Sequence, residues 1–186
     1  MCDIQYFRRA YHKLVVAKEM MTKFSRDELF ITDVEYYAQQ CVKFTLKAFL
    51  ESAGNTVPDT HSITKLVAMT DSNESACKLT DWIRQNAYML TAWEAESRYD
   101  FDYHVELEVI KEALVEIEKF LMINGLHMSL EKEITESVKD DLRKILPKRV
   151  VPADDFEWNC YYHIFQKKLN KLKNSHNKEV HNANAF

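Results

Sequence analysis

The side chains that could hold or move a charged group are unevenly spread along the chain. Lys167, Lys168 and Lys171, followed by Lys173, alternate with Leu169 and Leu172 near the C-terminal end. On a helix one face of that segment could meet phosphate while the other packs, with an affinity that falls steeply as salt rises. No aromatic side chain interleaves with these lysines, so stacking of single-stranded bases is not indicated, and a solvated helix face is the competing reading. The four cysteines, Cys2, Cys41, Cys77 and Cys160, form no C-x-x-C pair and read as reduced thiols. His12, His127, His163, His176 and His181 share no metal-ligand spacing. No metal and no other cofactor is expected. The chain has 2 glycines, Gly54 and Gly125, too far apart for G-x-G-x-x-G or G-x-x-x-x-G-K-[ST]. Any phosphate chemistry must therefore come from side chains rather than from a glycine loop.

The elements that must position such side chains are helices. Two glycines and 3 prolines in 186 residues, against roughly 13 and 9 at ordinary usage, leave few hairpin turns and argue against a β-rich fold. Apolar residues at helical spacing predict long helices over 3–24, 33–53, 77–98 and 103–124, with a short one near 61–70. Thr32 with Glu35 reads as a capping box for the second of these, and Gly54 and Gly125 stand where a C-terminal glycine would close the second and fourth long helices. Asp102 is the expected N-cap of the helix over 103–124. A two-helix appendage follows, its first helix capped by Ser129 and its second by Asp154 or Asp155, with Pro147 and Pro152 bracketing the joint. The fold class is all-α: an up-and-down bundle of four long helices with one short helix, plus the appendage. The expected division is 1–125, 126–174 and a disordered tail over 175–186. Net charge is −4 and uneven, +5 over 143–186 and −9 before it. No apolar run approaches the ~18 residues of a membrane span, and no signal peptide is apparent, so a cytoplasmic setting is expected.

Three segments narrow the reading. Ala38-Gln39-Gln40 is followed by Lys43, Lys47, Ala48 and Phe49; Thr60-His61 precedes the short helix; Arg98-Tyr99 ends TAWEAESRYD. In this order and spacing, over about residues 3–124, they resemble the HEPN domains, small all-α modules often encoded beside or fused to minimal nucleotidyltransferases. The resemblance implies a homodimer, a nucleotidyltransferase-type partner, and binding of nucleotide or RNA.

Many HEPN domains resemble metal-independent ribonucleases whose motif is Arg, four to six residues, then His. Here Arg98 and His104 enclose five residues. The resemblance implies that the guanidinium of Arg98 could hold a phosphate bidentately, and that His104 could serve as general base or acid. Tyr99 stands where active members usually carry a polar residue. Three roles stay open for the pair: cleavage, phosphate binding without cleavage, and a structural role in which Arg98 caps its helix or pairs with Glu94. Tyr36, Tyr37, Gln39 and Gln40 read either as a base-stacking groove or as part core and part dimer face. His61 reads as a residue that holds its loop by hydrogen bonds. Whole-chain expectations are a nucleotide- or RNA-binding homodimeric module, a toxin-like endoribonuclease using Arg98 and His104, or a dimerisation scaffold.

Overall fold

A computed structural model describes residues 4–23, 30–73, 75–99, 105–126, 134–146, 148, 151–152, 154–155, 157–162, 165 and 169, without the side chains of 4 and 96–99. Its helices are α1 (Ile4–Lys23), α2 (Phe30–Ser52), α3 (Ile63–Ser72), α4 (Asp81–Gln85), α5 (Ala87–Tyr99), α6 (Leu107–Ile123) and α7 (Glu136–Ile145). Residues 157–162 are also helical, and no strand occurs among the described residues. The all-α expectation holds. The chain divides into two compact units, Met1–His127 and Met128–Phe186.

Within the first unit α2 is the central helix. It packs most extensively on α1 and also meets α3, α5 and α6. α1 buries Phe7, Ala10, Leu14 and Ala17, a stripe at i, i+3, i+7 and i+10. Ala10 and Ala17 allow close approach, and Phe7 meets Phe49 edge-on at 5.0 Å. Val15, beside this stripe, is exposed. Trp93 of α5 and Phe120 of α6 are fully buried and complete the core with Leu46, Leu50 and Ile117.

Both glycines close helices as expected. Gly54 has φ +84° and Gly125 φ +81°. Asn55 N–H donates to Leu50 O and Gly54 N–H to Glu51 O; Leu126 and Gly125 repeat the pattern onto Leu121 and Met122. Other boundaries differ. α2 begins by Phe30, so Thr32 and Glu35 lie inside it and form no capping box. The helix over 77–98 starts later, at Asp81 after the N-cap Thr80, and is interrupted at Asn86, whose side chain donates to Trp82 O at 3.0 Å. α6 begins at Leu107 with N-cap Glu106, not Asp102. In the second unit α7 is capped at Thr135; Ser129 lies outside the described residues. Asp154 Oδ1 accepts from Glu157 N–H at 3.0 Å, which makes Asp154 the cap of the turn carrying buried Trp158, Cys160 and Tyr161. Arg143 of α7 lies 5.1 Å from the Trp158 ring centre.

Candidate functional site

Because α2 is covered on several sides, its polar residues are buried and must find partners inside the protein. Glu35, Gln39 and Lys43 recur every fourth residue and fall on one face of α2. Gln39 Nε2–H donates to the His61 carbonyl at 3.0 Å. His61 Nδ1 lies 2.8 Å from Glu94 Oε1 of α5 and 3.3 Å from Lys43 Nζ. His61 thus holds its loop by hydrogen bonds, as expected. The loop also docks through α3, whose first-turn donors Ile63 N–H and Thr64 N–H both reach Thr91 Oγ1 of α5, at 3.0 and 3.2 Å. Ser62 is the N-cap and accepts from Lys65 N–H.

This network anchors the part of α5 that leads to Arg98. Thr91 and Glu94 both face the 60–64 loop, and Arg98 is the next position of the same i, i+3, i+7 series, in the last turn of α5. The Glu94 carboxylate, one candidate partner for Arg98, is engaged by His61. The Arg98 side chain, His104, and Lys167, Lys168 and Lys171 lie outside the described residues. With α6 starting at Leu107, the expectation that His104 sits in the first turn after an Asp102 cap does not fit the observed cap at Glu106.

One buried carboxyl is unusual. Glu35 is 1% exposed, and among the described residues neither carboxylate oxygen has a hydrogen-bond partner. Burial raises its pKa from 4.5 to about 7. Lys47 on the same helix is lowered by burial, an effect that Asp59 partly opposes. Among the described residues no group of three or more His, Cys, Asp or Glu side chains could hold a metal.

The neighbouring stripe of α2, Tyr36, Gln40 and Phe44, lines a groove of about 510 Å³ with α1. From α1 come Gln5, Arg8, Arg9, His12 and Lys13. The sequence reading missed these basic residues. Their signal was the run RRAYHK, with positive or titratable groups at i, i+1, i+4 and i+5 of a helix. Tyr36 and Gln40 do line a groove; Gln39 is core.

The family model described as HEPN domain matches residues 5–127. No curated protein and no solved structure matches the chain. No helix among the described residues is long and apolar enough to cross a membrane.

Proposed function

Because the chain belongs to the HEPN domain family, we propose that it is a homodimeric module that binds nucleotide or RNA and works with a nucleotidyltransferase-type partner protein. The supporting observation is the register of α5. Arg98 follows Thr91 and Glu94 on the helix face tied to α2 and α3, and it stands in the last turn before the connection to α6. A permanent cation on an anchored turn can hold a phosphate with little ordering cost. The lysines Lys167, Lys168 and Lys171 would add phosphate contacts from the C-terminal segment.

Some HEPN domains are nucleases, and the Arg98–His104 pair favours a second reading. The two positions flank the α5–α6 connection with the family's spacing. In that reading Arg98 neutralises the scissile phosphate while His104 takes the proton from a ribose 2′-OH. The 2′ oxygen bonds to phosphorus, the 5′ oxygen leaves with a proton from an acid, and a 2′,3′-cyclic phosphate remains. A dimer would place two such pairs in one cleft and so supply both acid and base.

The purified chain should sediment at about twice 22.0 kDa; a strict monomer contradicts the composite cleft. Incubation with transfer RNA in EDTA separates the two readings. Cleavage abolished by both Arg98→Ala and His104→Ala supports the ribonuclease. Binding without cleavage, weakened by Arg98→Ala, supports the binding module. No binding of nucleotide or RNA at physiological salt leaves only a scaffold.

A further inference from the structure

Resting on the ribonuclease reading, we propose that His61 is a catalytic acid that protonates the leaving 5′ oxygen, supplied by the same protomer whose Arg98 holds the phosphate. Attack by a ribose 2′-OH needs an acid as well as a base. The Arg98–His104 pair of one protomer brings a single histidine for the two roles.

The reasoning starts from how the His61 ring is held. Its Nδ1 lies 2.8 Å from Glu94 Oε1 of α5 and 3.3 Å from Lys43 Nζ of α2. One edge of the imidazole is therefore turned inward, against a charged group from each of two helices. Lys43 is buried and the Glu94 side chain is 18% exposed, whereas the His61 side chain is 56% exposed. Nε2 is the ring's remaining polar atom, and it is what the exposed part of the ring can offer to a substrate. A carboxylate at one nitrogen and the reacting proton at the other is the arrangement that orients a histidine for acid or base work.

The backbone beneath the ring is fixed on both sides. Gln39 of α2 donates to the His61 carbonyl at 3.0 Å. On the other side, Ile63 N–H and Thr64 N–H reach Thr91 Oγ1 of α5 at 3.0 and 3.2 Å. A ring on so constrained a loop needs little ordering when substrate arrives. Register relates it to Arg98. Glu94 and Arg98 are four residues apart on α5, a rise of about 6 Å. A phosphate held by Arg98 would thus sit one turn along the helix from the His61–Glu94 contact.

The step balances with these groups. In the charged ring both nitrogens donate, Nδ1 to Glu94 and Nε2 to the 5′ oxygen. The 2′ oxygen gives its proton to the base and bonds to phosphorus. The bond from phosphorus to the 5′ oxygen breaks, its electron pair stays on that oxygen, and the Nε2 proton passes there to make a 5′-hydroxyl. The ring is left neutral, and solvent water returns its proton.

Sulfur substitution tests this role. A synthetic hairpin RNA copying the transfer-RNA stem-loop that the wild type cuts is made twice, with oxygen or with sulfur at the leaving 5′ position. A thiolate is a far better leaving group than an alkoxide and departs without a proton. His61→Asn keeps an amide where Nδ1 stands, to meet Glu94, and has nothing at Nε2. It should cut the oxygen substrate at least about 100-fold more slowly than wild type, and the sulfur substrate within about threefold of wild type. Arg98→Ala should slow both, because both need the phosphate held. Circular dichroism checks the fold, and His61→Gln replaces His61→Asn if the latter unfolds. Equal slowing of His61→Asn on both substrates would give His61 a merely structural role and overturn the proposal. So would wild-type rates on the oxygen substrate. If the wild type cuts no RNA at all, the ribonuclease reading fails and this acid falls with it; if the wild type cuts and the folded His61 variants cut equally well, only the acid is refuted.

Discussion

Replacing Glu35 by Gln should stabilise the protein, and the gain should grow with pH. The native carboxyl has its pKa raised from 4.5 to about 7 by burial. In the unfolded chain it returns to the ordinary value. Between those values the folded state therefore holds a proton that the unfolded state has released, so stability is fully present below pH 4.5 and falls as pH rises through about 7. Each pH unit between the two values is worth ~1.4 kcal/mol, and they lie about 2.5 apart, so the full loss is roughly 3.5 kcal/mol. Most of it, about 2.5 kcal/mol, falls between pH 5 and pH 8. Gln keeps the shape and polarity of the protonated acid but cannot ionise. Urea unfolding of wild type and Glu35→Gln at pH 5, 6, 7 and 8 gives two curves whose difference isolates this one group from all others that titrate. The variant should draw ahead by about 2.5 kcal/mol over that range. Curves that stay parallel from pH 5 to pH 8 would refute the reasoning, because a carboxyl whose pKa is raised by burial must register its ionisation in stability.

Three further outcomes follow from the geometry. Gly54 has φ +84° with open space around its α-carbon, so Gly54→Ala should cost about 1 kcal/mol from backbone strain alone, measured by chemical denaturation. Asn124 accepts from Lys78 N–H and donates to Lys78 O and Phe120 O. Asn124→Ala should therefore cost about 1–3 kcal/mol and speed amide exchange at Lys78. Burial pushes the Cys41 thiol up, against a weaker opposing hydrogen bond with the Leu14 backbone. Iodoacetamide at pH 8 should leave Cys41 unmodified in the native protein and label it in urea, as read by mass spectrometry.

The legible parts of the fold were those fixed by neighbours in sequence. Apolar period placed α1, α2 and α6 close to their observed spans, and Gly54 and Gly125 marked the ends of α2 and α6, because left-handed backbone favours glycine wherever it occurs. Thr32 and Glu35 misled for the opposite reason. Their spacing satisfied a local rule, but α2 extends back to Phe30 and Glu35 is buried within the bundle. The break at Asn86 had no clear signal, since the apolar period runs on across it. At the candidate site, Arg98 and its family resemblance were visible in sequence, while the tie from His61 to Glu94 was not, because those residues are 33 positions apart and meet only through the docking of α3.

The sequence by itself determined an all-α chain of the HEPN type, with glycine phosphate loops excluded. These properties depend on residue type, helical period and local backbone preference. Only the tertiary structure decided which polar residues are buried and which cations share a groove. Arg8, Arg9, His12 and Lys13 become one surface with Tyr36 and Gln40 because α1 lies against α2 in one register. That register is set by Phe7, Ala10 and Leu14 packing onto α2, a contact between distant segments that no local period encodes.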